Sequence, residues 1–285
     1  MRTALAAVLA TSVILAIVLL IPLAGRATRG APQAEAAAKI SNAALARSPT
    51  PVIVELFTSE GCSDCPPADR LLYSLEQKQP VPGAEIIPLE QHVDYWDNDG
   101  WRDPFSSSQF TLRQRDYVYT LNLPTAYTPQ MVVDGTAAFV GSDQNRALAA
   151  IAKAALLPKA NLKIEELSDA NSDARDVHLR VSLAPLGASN PKHGADVLLA
   201  ITEDNLASNV TRGENAGAHM NHLSVVRELR VLGRVNPAGS FSAAPDVALA
   251  GNWKRENLHM VAFVQDRSKK RVLAASTVSL SETRN

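Results

Sequence analysis

The 285-residue chain is 46% apolar and 20% charged, enough apolar material for two ordinary domains and not the composition of a disordered chain. Lysine and arginine number 28 against 29 acidic residues, and aromatics are 5%. With no basic excess to neutralise phosphates and few rings to stack on bases, nucleic acid is not an expected partner. Two cysteines exclude a disulfide-dense scaffold and a four-cysteine zinc site.

The chain opens on an export segment. Ala4 to Ala24 is an uncharged run of mostly Ala, Leu, Val and Ile, preceded by Arg2. A short positive start before an apolar stretch reads as a secretory signal. The run is longer than a usual signal core and approaches the ~20 residues that span a bilayer, so an uncleaved anchor is the alternative. Ala34-Glu35-Ala36 and Ala36-Ala37-Ala38 both fit a small-residue cleavage site. Residues 1–38 are therefore expected to be a signal peptide or signal anchor and 39–49 a linker. The folded part would lie outside the cytoplasm, periplasmic or secreted, with the N-terminal segment its one membrane contact.

From Pro51 the pattern is strand, turn, helix. Val52 to Phe57 is an apolar, β-branched run suited to a buried parallel strand. Thr58-Ser59-Glu60-Gly61 turns the chain. A helix over Cys65 to Gln77 has Leu71, Leu72 and Leu75 at helical spacing and Pro66 in its first turn. Glu85 to Val93 predicts a second strand, Ser107 to Tyr119 a helix, and Met131 to Gly135 a strand with its turn. Ala137 to Val140 pairs back as a hairpin. Ser142 is expected to cap a helix running to about Leu157, and Pro158 ends the unit.

Beyond Pro158 the texture changes. Asp176 to Leu183 alternates, with Val177, Leu179, Val181 and Leu183 on one face. Val197 to Thr202, Val225 to Val231, Leu258 to Val264 and Arg271 to Val278 are further short strands between turn clusters. The reading is an α/β domain over 50–158 followed by an all-β, sandwich-like domain over 160–285.

The chemistry-bearing motif is Cys62-Ser63-Asp64-Cys65, directly after a buried strand and opening a helix. Free N–H groups and the positive end of the dipole at a helix start favour a thiolate at Cys62. Cys65, one turn deeper and less exposed to solvent, can resolve a mixed disulfide. Thr128-Pro129, just before the Met131 strand, occupies the place where thioredoxin folds put a cis-proline facing the disulfide. Two other readings compete. A zinc half-site lacks a second cysteine pair. A permanent disulfide closing so short a loop removes little chain entropy and is a poor staple.

The run from Val54 through Cys62 and Cys65 to Asp69 resembles the signature of secreted bacterial proteins with a thioredoxin-like domain, catalogued as domain of unknown function 1223. The likeness continues through His92-Val93-Asp94-Tyr95-Trp96-Asp97, Gly100-Trp101, Asp103 to Ser106, Arg113-Gln114-Arg115 and Tyr127 to Met131. It returns at Gly213-Glu214-Asn215, His222, Val225-Val226-Arg227 and Phe263 to Asp266. It covers nearly everything after about residue 50. It implies a thioredoxin-like fold and export, and carries no established activity.

Departures from ordinary thioredoxin bear on the chemistry. No tryptophan precedes Cys62 and no Gly-Pro lies between the cysteines. Thioredoxin keeps a buried acid six positions before its first cysteine; here Leu56 stands there. Glu55, one residue earlier, is a candidate proton acceptor on the opposite strand face, or else the partner of an arginine. Glu60 and Asp64 place negative charge beside the thiols and should oppose the helix dipole. Trp96, Trp101 and Thr128 are candidates for a substrate groove, or the tryptophans cap the core under a long loop. Asp94, Asp97, Asp99 and Asp103 lack calcium-loop spacing. His219-Met220-Asn221-His222 raises a copper reading with the cysteines, against which His222 reads as a strand-edge histidine. Glu214, Asn215 and Arg227 are expected to form a polar cluster between the two halves.

The expected function is thiol–disulfide exchange on an extracytoplasmic protein thiol or small thiol. Cys62 would attack, Cys65 resolve and Pro129 position the substrate, with no cofactor and no metal. The alternatives are a non-catalytic interaction module with a static disulfide, and copper delivery.

Overall fold

The computed structural model describes residues 48–167 and 175–280. The expected signal or anchor, and all but the last two residues of the expected linker, lie outside them. Among the described residues no helix is long and apolar enough to cross a membrane.

The first half runs β1 (Thr50–Thr58), α1 (Pro66–Lys78), β2 (Ala84–His92), α2 (Ser108–Thr120), β3 (Gln130–Val133), β4 (Ala137–Val140) and α3 (Gln144–Ala155). The second half is almost entirely strands. They are β5 (Leu162–Leu167), β6 (Asp176–Leu183), β7 (Ala195–Glu203), β8 (Leu206–Asn209), β9 (His219–His222), β10 (Val225–Arg234), β11 (Phe241–Ala243), β12 (Asp246–Ala248), β13 (Leu258–Asp266) and β14 (Val272–Ser279). Ser107 caps α2 by accepting from the Gln109 amide. The cap of α3 is Asp143 rather than Ser142: its carboxylate accepts from the Arg146 amide at 3.0 Å.

Eight strands form one sheet in the order β14-β13-β7-β10-β2-β1-β3-β4. β1 pairs β2 in parallel and β3 antiparallel. The boundary expected near residue 159 falls between α3 and β5, and the long sheet draws strands from both sides of it. The junction is β10 beside β2, a parallel pairing at Val225 and Glu90, with the Glu90 amide donating to the Ser224 carbonyl at 2.9 Å.

Side chains on β1 alternate between two cores, as the two-residue period requires. Val52, Val54 and Leu56 pack with Ala68, Leu72 and Leu75 of α1 and Ala147 and Ile151 of α3. Ile53 faces the other way, with Ile87, Leu89 and Phe110 against Leu198, Val226, Leu229, Val261 and Phe263. That second core is built by both halves of the chain. A short sheet of β11-β6-β12, with β5 on β6, packs against β7 and β13 through Leu179, Val181, Leu199, Ile201 and Met260. β8 and β9 form a separate hairpin.

Candidate functional site

β1 ends in the turn that presents the cysteines. The Cys62 amide donates to the Ser59 carbonyl and the Cys65 amide to the Cys62 carbonyl. Cys65 is the N-cap of α1, with Pro66 and Pro67 in the first turn, where a missing N–H costs nothing. Cys62 and Cys65 are joined as a disulfide. Both are buried, exposed by 2% and 0%. The expectation that Cys62 would be clearly more exposed to solvent than Cys65 is not met, because the fold covers both.

The cover comes from the loop between β8 and β9. Asn215 Nδ2 donates to the carbonyls of Glu60 and Cys62 at 2.8 and 2.9 Å. Glu214 accepts from the Ser63 amide and hydroxyl at 3.0 and 2.7 Å, which lowers its pKa. Gly213, at φ +76°, lets the loop lie against Trp101: an added Cβ would sit 3.2 Å from the Trp101 Cβ. Arg227 pairs Glu203 at 3.1 Å and lies over the Phe105 ring.

The two tryptophans brace the cysteine turn. Trp96 Nε1 donates to Thr128 Oγ1 at 2.8 Å, and its Cβ lies 3.1 Å from where a Gly61 Cβ would be. Trp96 thus links the cysteine turn to Thr128 and Pro129. The Thr128–Pro129 peptide bond is cis. Trp101 Nε1 donates to Glu60 Oε2 at 2.8 Å, and both indoles are half-buried. A cavity of about 660 Å³ opens beside the turn, between α1 and the hairpin, lined by Pro66, Asp69, Arg70, Tyr73, Met220 and Leu223.

Glu55 faces away from α1, so the proton-acceptor role considered for it does not fit its place. Its carboxylate accepts from Arg113 at 2.5 and 2.9 Å, from Gln91 at 2.6 Å and from the Tyr117 hydroxyl. The arginine partnership is the arrangement formed, on the α2 side of the sheet.

Directly beneath the cysteine turn lies a buried network that the sequence alone did not suggest. His222 does end the short strand β9, but it is buried rather than exposed, together with Glu60, Glu90, His92 and Asp103. His222 Nδ1 meets Glu90 Oε1 at 2.7 Å and its Nε2 meets Glu60 Oε1 at 3.0 Å. His92 Nε2 meets the same Glu90 oxygen at 3.2 Å, and its Nδ1 meets Asp103 Oδ2 at 2.7 Å. Burial alone would lower the pKa of His222, but Glu90 and Glu60 outweigh it and hold it at about 9. His92 is likewise held above its ordinary value against burial, chiefly by Asp103. Asp69, one turn into α1 and bonded to the Thr58 hydroxyl at 2.7 Å, is raised to about 7 by burial and by Glu90.

The copper reading needs His219, Met220 and His222 to converge on the cysteines. Alternation along β9 separates them: His219 is exposed and bonded to Asn209, while Met220 and His222 turn inward.

Fold and site together define a mixed α/β protein with a large sheet and a Cys-x-x-Cys disulfide at the start of a helix. A family model described as a protein of unknown function, DUF1223, matches residues 53–265, and the chain belongs to that family. No curated protein matches it. A structural-genomics crystal structure of a protein from Agrobacterium tumefaciens is similar, at 23% identity and a TM-score of 0.61, over 84% of this chain and 99% of that one. That likeness is one of fold. A domain of the outer membrane lipoprotein Omp28 from Porphyromonas gingivalis aligns at 19% identity and a TM-score of 0.26, over 44% of this chain and 92% of that one.

Proposed function

We propose that the first half is a thioredoxin-like redox domain and that the protein, exported through its N-terminal segment, exchanges disulfides with an extracytoplasmic thiol partner. The observation that carries this reading is the Cys62–Cys65 disulfide at the start of α1, directly after a buried parallel strand. In the oxidising direction, a partner thiolate attacks the Cys62 sulfur and Cys65 leaves as a thiolate. A second partner thiolate then attacks the partner sulfur of that mixed disulfide and expels Cys62. The partner is oxidised by two electrons and the cysteine pair reduced. The reverse sequence has Cys62 attack a partner disulfide and Cys65 resolve it. The helix start stabilises whichever thiolate Cys62 carries. Pro129 and Thr128, tied to the turn by Trp96, are the residues proposed to position the partner chain. The cavity between α1 and the β8–β9 hairpin offers an approach once Asn215 lets go.

The rival is an interaction module with a static disulfide, favoured by the burial of both cysteines. Equilibration of the full chain in redox buffers, with trapping of partners by Cys65→Ala, separates the two. A potential above about −300 mV together with mixed disulfides on Cys62 is expected. A potential far lower, with nothing trapped, would leave the static bridge as the answer.

A further inference from the structure

The geometry points to a metal site inside the network: Glu90, His92 and His222 are placed to bind one divalent first-row transition-metal ion, zinc being the probe of choice. The three come from β2 and β9 and are exposed by 2, 0 and 4%. Their facing atoms, one oxygen and two imidazole nitrogens, all lie within 4.8 Å of one another. Glu90 Oε1 stands 3.2 Å from His92 Nε2 and 2.7 Å from His222 Nδ1. Ligand atoms on a tetrahedral zinc ion are about 3.3 Å apart, given bonds of about 2.0–2.1 Å. The Glu90–His92 pair already has that spacing, and the Glu90–His222 pair needs to open by about half an ångström to reach it.

The outward half of each imidazole carries the stronger argument. A ligating histidine characteristically donates its other N–H to a carboxylate, which fixes the ring and its tautomer. Here both histidines do so. Asp103 Oδ2 takes His92 Nδ1 at 2.7 Å, and Glu60 Oε1 takes His222 Nε2 at 3.0 Å. Those carboxylates are themselves held. Asp103 accepts from the Glu60 and Phe105 amides at 2.8 and 2.9 Å, and Glu60 accepts from Trp101 Nε1. The second Glu90 oxygen takes the Leu223 amide at 3.3 Å. The Phe105 ring lies edge-on to both imidazoles, at 5.4 and 5.6 Å, and forms an apolar wall. Two nitrogens and one oxygen suit zinc or a neighbouring transition metal and disfavour calcium or magnesium, which want oxygen alone. No cysteine belongs to the set, so binding is independent of the disulfide. An ion here would tie β9, and with it the loop over the cysteines, to β2.

The test uses tag-free full-length protein stripped with a chelator, loaded with zinc, desalted and assayed by elemental analysis. One equivalent of zinc is expected, retained in the Cys62→Ser/Cys65→Ser double variant and lost in His222→Gln. Asp103→Asn should weaken binding about 10–100-fold. Zinc-edge X-ray absorption on the unmodified chain needs no folded variant and should report two imidazoles, oxygen and no sulfur. Absence of retained zinc, equal retention by His222→Gln, dependence on the cysteines, or an all-oxygen or sulfur shell would each overturn the assignment.

Discussion

Glu76, in the last turn of α1, accepts from Ser224 Oγ at 3.1 Å through one carboxylate oxygen. The other is buried with no hydrogen-bond partner among the described residues. Burial and then the nearby Asp204 raise its pKa from 4.5 to about 7. The folded protein therefore holds this proton more tightly than the unfolded chain. The stabilisation is fully present below about pH 4.5 and is lost as pH rises through about 7. Glu76→Gln keeps the shape and removes the charge. It should gain about 1–2 kcal/mol over the parent at pH 8, after solvent screening of a partly exposed group, and nothing at pH 4.5. Urea melts at the two pH values check this; an equal gain at both would show that charge is not the cause. Residues of this kind set the limit of sequence reading. Cys62, Cys65, Thr128 and Pro129 were legible because contiguous motifs announce them. Glu60, Glu90, His92, Asp103 and His222 come from four separated segments, and no spacing rule joins them. The signals available were Glu90-Gln91-His92, three polar residues closing a strand after the apolar Ile86 to Leu89, and the presence of Glu60, His92, Asp103 and His222 within the segments of family resemblance.

At the scale of elements, the turn between β3 and β4 is a junction rather than a simple reversal. Asp134 accepts from the Ile53 amide at 3.1 Å and from Lys159 at 2.5 Å, while its own carbonyl takes the Val272 amide. Gly135 follows at φ +68°, and a Cβ there would stand 1.9 Å from the Lys270 carbonyl oxygen. Gly135→Ala should therefore cost about 2 kcal/mol or more, since backbone rather than a side-chain end has to move. Gly83, at φ +78° with nothing within 4 Å, gives the control: its alanine variant should lose about 1 kcal/mol from the left-handed backbone alone. Equal losses in thermal melts would remove the steric argument. Elements with strong period or apolar runs could be read directly, and β4 and β6 have the limits their patterns predict. β5, β8, β9, β11 and β12 escaped: the last four have only three or four residues and no Asp-Gly turn motif beside them, and β5 alternates at Leu162 and Ile164 but closes on Glu165 and Glu166 before Leu167. At the start of α3, Ser142 and Asp143 are both good caps, and only geometry chooses between them.

For the whole molecule, what matters is that one sheet serves both halves. Nothing local marks β10 as the neighbour of β2, because a parallel pairing through a single register pair has no turn to betray it. A chain ending at Pro158 would leave that edge of β2 unpaired and strip Ile53, Ile87, Leu89 and Phe110 of their apolar partners. It should aggregate or lose cooperative unfolding. A soluble monomer melting as sharply as the full chain would show the shared sheet to be dispensable. The same topology orders events in time. Asn215 lies 153 residues beyond the carbonyl of Cys62 that it holds. Synthesis runs from the N-terminus, so the cysteine turn exists long before its latch has been made. Any oxidant that reaches the nascent chain in that interval meets two open thiols, whereas one arriving after release has first to displace Asn215.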